Sequence, residues 1–210
     1  MKVLIVGASG GTGRELVKQA LEQGHHVTAF VRNPSNFPLS HERLLVEKGN
    51  VLDFDSVERA VRGKDGVLSA LGHKRWVIPS RILSKGTANI LQAMEQNKVK
   101  RFVCETSLGV ADSWWKLGLQ YTLFIIPVIL FFYFIDKARQ ERLIKQSNLD
   151  WVIVRPGRLT NRKKRGVYRS GFNVGNALWT VSISRADVAE FMLKQLNENM
   201  YLKHTPGVAY

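Results

Sequence analysis

Lys2-Val3-Leu4-Ile5-Val6-Gly7-Ala8-Ser9-Gly10-Gly11-Thr12-Gly13 runs an apolar, β-rich segment straight into glycines spaced G-x-x-G-x-x-G. Leu16, Val17, Ala20 and Leu21 then recur on one face of a helix over Thr12–Gln23, which Gly24 stops. Each glycine has a mechanical task in such a strand–turn–helix. Gly7 permits the tight turn, Gly10 lets backbone N–H groups approach an anion, and Gly13 lets the helix pack close to the strand. The helix directs its positive end and unpaired N–H groups at whatever sits over the turn. A ligand-free βα turn can carry glycines too, but the strand before and the helix after point to a dinucleotide pyrophosphate.

The alternation continues along the chain. Strands are expected at Lys2–Val6, His26–Val31, Arg43–Glu47, Asp65–Leu71, Arg101–Glu105 and Asp150–Arg155. Helices are expected at Ser56–Val61, Ser84–Asn97, Ile135–Ser147 and Ser184–Leu196, the last with Ser184 as N-cap. Strands alternating with helices imply βαβ units and a parallel sheet covered on both faces. The expected architecture is one doubly wound α/β (Rossmann) domain over residues 1–210. Two stretches break the rhythm, Val110–Phe134 and Asn161–Ser182, and both follow strands, where α/β ligand sites are built.

Composition narrows the class. With 210 residues, 45% of them hydrophobic, the chain can bury a core without staples. The single cysteine, Cys104, excludes an intrachain disulfide and a multi-cysteine zinc site, and points to a reducing, cytoplasmic setting. The five histidines have no ligand-like spacing, so no metal site is expected. A formal charge of +14 attracts polyanions, from anionic lipid to phosphorylated small molecules. No nucleic-acid-binding module accompanies the charge, which argues against nucleic acid as the partner. Basic loops follow the fourth strand (His73-Lys74-Arg75-Trp76) and the sixth (Arg158 to Arg165). They read either as solvated faces or as seats for carboxylate or phosphate groups.

The end of the second strand selects the form of the nucleotide. An NAD site places an acid there for the ribose 2′-hydroxyl. This chain has Val31-Arg32-Asn33-Pro34-Ser35. A guanidinium matches a 2′-phosphate in charge and fork geometry, so the expected cofactor is NADP(H).

These pieces together, with Gly49-Asn50-Val51, Ser69–Gly72, Thr106-Ser107, Val154–Gly157 and the final Ser182–Glu198 segment, resemble the atypical short-chain dehydrogenase/reductases. Among these, the NmrA-like proteins and the NADPH-dependent biliverdin-IXβ and flavin reductases are the most similar. The resemblance implies that Gly7, Ser9, Gly10, Gly11, Thr12 and Gly13 hold the phosphates, and that Arg32 and Ser35 hold the 2′-phosphate. It places Asn50 and Val51 at the adenine, and Leu71 and Gly72 at the ribose. Thr106, Ser107, Pro156 and Gly157 fall around the nicotinamide. Asn50 stands where the family usually has Asp.

In the wider superfamily a Ser, a Tyr and a Lys act together, and Ser107 with Tyr133 and Lys137 has similar separations. Tyr133 and Lys137, four apart, share a helix face. Tyr133 also lies inside the apolar run Ile129–Ile135, so it reads equally as core, with Lys137 alone contacting cofactor or substrate. The biliverdin/flavin branch does without this tyrosine. The resemblance therefore implies an NADPH-dependent reductase of a flat conjugated acceptor, a flavin or a linear tetrapyrrole. The alternatives are a Ser-Tyr-Lys keto-reductase or epimerase, and a non-catalytic NADP(H) sensor or assembly factor.

Leu117–Ile135 carries no charge over nineteen residues, enough to span a bilayer by length. A single crossing would part the sixth strand from the glycine turn, and Pro127 divides the run. The segment, over residues 110–135, reads as a lid or pocket wall, with a subunit interface or peripheral membrane contact as the other readings. Trp114, Trp115 and Arg158 are the candidate substrate contacts.

Overall fold

The structure, a computed structural model, describes residues 1–73 and 77–210. Lys74, Arg75 and Trp76, most of the basic loop expected after the fourth strand, lie outside the described residues. Ten strands form in chain order: β1 (Lys2–Val6), β2 (His26–Val31), β3 (Leu44–Lys48), β4 (Gly66–Ser69), β5 (Arg101–Glu105), β6 (Asp150–Pro156), β7 (Arg158–Thr160), β8 (Arg169–Gly171), β9 (Ser182–Ser184) and β10 (Gly207–Ala209). The helices are α1 (Gly11–Glu22), α2 (Phe54–Val61), α3 (Ile82–Gln96), α4 (Phe131–Gln146) and α5 (Arg185–Lys194). Eight strands make one sheet in the order β3-β2-β1-β4-β5-β6-β10-β8, while β7 pairs β9 apart from it. Its pairs are parallel except β10 with β8. The expected doubly wound single domain is what forms, and its strand order reverses between β1 and β4.

The alternation of side chains along each strand sorts the core into two layers. Val3 and Ile5 of β1 join Leu16, Val17 and Ala20 of α1 and Val188 and Met192 of α5 on one face. Leu4 and Val6 face the other way, with Val57, Ile90, Met94 and Ile144 of α2, α3 and α4. Each fully buried Leu or Ile contributes about 1.5–3 kcal/mol, so the two layers hold the sheet from both sides. Cys104 is fully buried in β5, where loss of solvation pushes its thiol up to about 12 and leaves it inert.

Three expectations are corrected. The apolar run is helical well before Ile135: a π-helix over Tyr121–Leu130 continues directly into α4 and passes through Pro127. The wide turn moves the carbonyls that a proline ring would strike in an α-helix, so Pro127 does not divide the segment. The π-helix packs only one stripe: Tyr121, Ile126 and Leu130 meet Leu108, Leu117 and Phe134 in a third small cluster. Its other side is exposed. Finally, residues 161–182, expected to be irregular, supply β8, and the sheet gains β10 beyond it. Segments of three residues are too short to show a periodicity.

Candidate functional site

The carboxyl ends of β1 and β4 diverge at the strand-order reversal, and the glycine turn fills that crevice. Gly7 sits at φ +77°, and a Cβ there would stand 2.5 Å from Ala70 O. A Cβ on Gly13 would stand 2.1 Å from Gly7 O, so only hydrogen lets α1 approach β1 this closely. Gly10 N donates to Gly7 O at 2.9 Å and closes the turn. Gly10 is the N-cap of α1, has no side chain to cap it, and no acid occupies the first turn. The first N–H groups and the positive helix end are thus left for an anion, and Ser9, Gly10 and Gly11 are exposed to receive it. These residues fit a pyrophosphate.

Thr12 departs from its expected part. It is buried, and its hydroxyl donates inward to Glu105 Oε1 at 3.1 Å, so only its backbone N–H remains for a phosphate. Burial raises the Glu105 carboxyl above its usual range, against the pull of Lys137, Thr12 and Arg185. Arg185, which the sequence reading passed over, lies across the turn: a Cβ on Gly11 would meet its Cδ and Nε at 2.5 and 2.6 Å. Asn161 Oδ1 accepts from Arg185 Nη1 at 2.6 Å and holds the arm there. Arg14 adds a second cation, donating from Nε to Ser9 O at 3.1 Å. The capping Ser184 signalled the start of α5, but only the packing of α5 on α1 brings the next residue over the glycines.

On the adenosine side, Arg32 is exposed at the end of β2 and makes no ion pair among the described residues. Ser35 is exposed in the short turn Pro34–Asn36. Arg43, later in the same loop, pairs instead with Glu42 at 3.7 Å and reaches back toward Gly24. Asn50 Oδ1 accepts from Leu52 N at 3.1 Å, which leaves its amide nitrogen as the outward donor. Val51 is mostly buried, its methyl groups 2.7 and 2.8 Å from a Cβ on Gly86, with Leu71 Cδ2 at 3.2 Å. Val51, Gly86 and Leu71 thus form one wall. Gly72 is exposed beyond it.

At the third end, α4 brings Tyr133 and Lys137 to the sheet edge. The Tyr133 hydroxyl would lie 3.5 Å from a Cβ on Gly72, and the Lys137 ammonium is 5.2 Å from the Tyr133 ring centre. Lys137 is buried and donates to Thr106 O at 3.0 Å. Asp136 fixes the helix by accepting from Leu83 N and Ser84 N at 2.9 and 3.2 Å, at the start of α3. Ser107 does not join Tyr133: its hydroxyl donates to Leu108 O at 2.7 Å. The Thr106 hydroxyl is also turned away, donating to Glu141 Oε1 at 2.8 Å, so Thr106 offers the edge no side-chain contact. Leu108 N donates to Pro156 O at 2.9 Å, and Gly157 packs so tightly on Val181 that a Cβ would stand 2.7 Å from its carbonyl oxygen.

Beneath this edge runs a chain of charge, buried at Arg155 and Glu141 and open to solvent at Asp112. Arg155 donates to Glu141 at 3.0 and 2.6 Å and to Asp112 at 3.1 and 2.7 Å. The Arg155 guanidinium holds the Asp112 carboxyl down at about 2. The substrate candidates lie outside these contacts. Trp114 and Trp115 contact each other with ring centres 4.3 Å apart and planes tilted by 55°, 42% and 51% exposed, and Arg158 is exposed at the start of β7.

The comparisons bear on the family and the fold. A chloroplastic protein of Arabidopsis thaliana is 29% identical over 208 residues, covering 93% of this chain and 71% of that one. The photosystem II assembly factor Ycf39 of Synechocystis is 26% identical over 157 residues, 73% of this chain and 44% of the relative. Among solved structures, ChuY, an anaerobillin reductase from Escherichia coli O157:H7, superposes with a TM-score of 0.81 at 22% identity, covering 100% of this chain and 97% of that one. That likeness is one of fold. A family model described as NAD(P)H-binding matches residues 7–199, nearly the whole chain, and the chain belongs to that NAD(P)H-binding family.

Proposed function

We propose that this oxidoreductase-like protein is an NADPH-dependent reductase that passes hydride to a flat conjugated acceptor, a flavin or a linear tetrapyrrole. The observation that carries the reading is the edge formed by Lys137, Tyr133 and Ser107. A buried ammonium is aimed at the sheet edge, yet the serine hydroxyl is committed to Leu108 O and no Ser–Tyr acid pair is assembled. Lys137 spends one of its three donors on Thr106 O and keeps the others for the ribose side of a bound nucleotide. Gly72, exposed and without a side chain, leaves room beside the Tyr133 hydroxyl for a flat ring to lie against the edge. A reduced nicotinamide bound there would supply the hydride, and an extended π-acceptor would take its proton from water. Orientation against a dry wall is then the protein's main contribution.

Arg32, followed by no acid before Glu42, supports the phosphorylated form of the cofactor. The anaerobillin reductase among the structural neighbours supports the acceptor class. Oxidation of NADPH followed by absorbance, with FMN, FAD and biliverdin in turn, tests the proposal: turnover above the acceptor-free rate with at least one is expected. If none is reduced while NADPH still binds, the protein is a nucleotide sensor or assembly factor. The Synechocystis relative and the exposed apolar surface favour that second reading.

A further inference from the structure

We propose that the π-helix Tyr121–Leu130 and its tryptophan rim seat this protein on an anionic lipid bilayer, lying in the headgroup plane without crossing it. The inference stands apart from the acceptor and from catalysis.

The apolar surface is unusually open. Phe124 is 66% and Val128 73% exposed, and Leu123, Ile129, Phe131 and Phe132 are exposed beside them. Soluble monomers seldom show so continuous a patch without a partner. Tyr121–Gln146 is long and apolar enough to cross a membrane, but its second half belongs to the fold. Lys137, Gln140 and Glu141 are buried there and bonded to Thr106, Thr87 and Arg155. Drawing that half into a bilayer would strip every one of those partners. Only the first half is free, and it lies outside.

Tryptophans border it. Thr122 Oγ1 donates to Trp114 O at 3.0 Å, which ties the Trp114–Trp115 pair to the π-helix. Trp179, 75% exposed, is held beside Gly118, whose Cβ would stand 2.7 Å from the Trp179 carbonyl carbon. Indoles with one face apolar and one N–H wet settle at headgroup depth.

Charge names the surface. The segments that leave the carboxyl ends of β1 to β6 hold, among the described residues and leaving out Glu42 and Arg43 at the amino end of β3, nine Lys and Arg against two Asp and Glu. Arg81 and Arg139, both exposed, line a cavity of about 370 Å³ together with Phe132 and Ile135. That pairing of guanidinium with apolar wall suits a lipid phosphate and the start of its acyl chain. A second copy of the chain, also at +14, would be repelled where an anionic bilayer is attracted. Apolar insertion and basic attraction are the two signals that stable peripheral anchoring requires.

The test is co-sedimentation of the full chain with vesicles of phosphatidylcholine alone and of phosphatidylcholine with phosphatidylglycerol. Binding to the anionic vesicles, weakened by salt and accompanied by a blue shift of tryptophan emission, is expected. The double variant Phe124→Asp, Val128→Asp should lower partitioning by about a hundredfold while NADPH binding and melting stay put, because both side chains face solvent. Arg81→Glu with Arg139→Glu should abolish the preference for anionic vesicles and leave weak binding to neutral ones. If the intact chain stays in the supernatant with both vesicle types, the proposal is wrong. It is equally overturned if the chain is a dimer that Phe124→Asp dissociates and no vesicle binds.

Discussion

Replacing Arg32 by alanine should separate the two nicotinamide cofactors. Arg32 stands exposed at the end of β2, with Ser35 one short turn away and no acid before Glu42. A charge-assisted hydrogen bond contributes about 1.5–3 kcal/mol, and solvent at an exposed site moves the figure to the lower end. A tenfold change in affinity corresponds to about 1.4 kcal/mol, so Arg32→Ala should weaken NADPH by about tenfold to a hundredfold. NADH, which lacks the 2′-phosphate, should bind as before. Arg43 cannot substitute, being paired with Glu42 and turned toward Gly24. Arg32→Lys should fall between, since an ammonium keeps the charge and loses the fork. The internal contrast is Arg185→Ala: that arm lies over the pyrophosphate turn, so both cofactors should weaken alike. Isothermal titration of the variants with NADPH and NADH reads all of this. Equal weakening of both cofactors by Arg32→Ala, or none of either, would refute the reasoning.

Gly13→Ala places a Cβ 2.1 Å from Gly7 O and 2.7 Å from Ala8 Cα, and neither backbone atom can rotate away. It should cost about 3 kcal/mol or more, lower the melting temperature by about 6–12 °C and abolish nucleotide binding; calorimetry with and without NADPH reads both. Tyr133→Phe should reduce flavin or biliverdin turnover by less than about tenfold, because a missing general acid costs far more only where one is used; a larger loss of kcat would restore the Ser-Tyr-Lys reading. Glu141→Gln breaks a buried pair and should cost about 3–5 kcal/mol in urea unfolding, with an unchanged midpoint counting against the charge chain. Asp112 has a depressed carboxyl, so its pairing with Arg155 stabilises the fold above 3.8 and is lost as pH falls through about 2. Because that side chain is 70% exposed, the effect should stay below about 1 kcal/mol and appear as a local change in Trp114 and Trp115 fluorescence.

The first six strands and the glycine turn were legible because each carries a strong local signal. Val3 to Val6 are apolar in a row, as a strand buried on both faces must be, and Gly7 to Gly13 have a spacing that few other structures require. The Tyr133–Lys137 pair was legible as an interval, but its direction was not. That Lys137 turns to Thr106 O, and that Ser107 turns to Leu108 O, depends on where α4 docks. Docking is set by Asp136 at the start of α3 and by Glu141 under β6, contacts across many residues that no local pattern announces. Arg185 escaped notice for the same reason. The apolar run misled in another way: hydrophobicity suggested a wall facing inward, and the helix instead buries one stripe and exposes the rest. Hydrophobic length measures what can be buried, whereas the helical period decides how much a single neighbour can cover.

The charge chain under the sheet explains why the segment after β5 holds its shape. Thr106 is pinned by Lys137 at its carbonyl and by Glu141 at its hydroxyl. Six residues on, Asp112 is pinned by Arg155, and Arg155 by the same Glu141. Between these anchors Gly109 takes φ +89° and Ala111 takes φ +49°. The left-handed geometry of the alanine costs about 1–2 kcal/mol, and the turn around it is closed by Ser113, which donates to Val110 O from both N and Oγ and accepts from Gly109 N, with the Asp112–Arg155 pair adding to that. The same turn carries Trp114, whose carbonyl accepts from Thr122 Oγ1 of the π-helix. The two indoles and the π-helix are thus held by the Ser113 turn, by packing on Leu108, Leu117 and Phe134, and at one end by an ion pair that touches neither the glycine turn nor the exposed apolar face. A single carboxylate on α4, Glu141, bonds both the Thr106 hydroxyl and Arg155, and so links the edge after β5 to the start of the apolar segment.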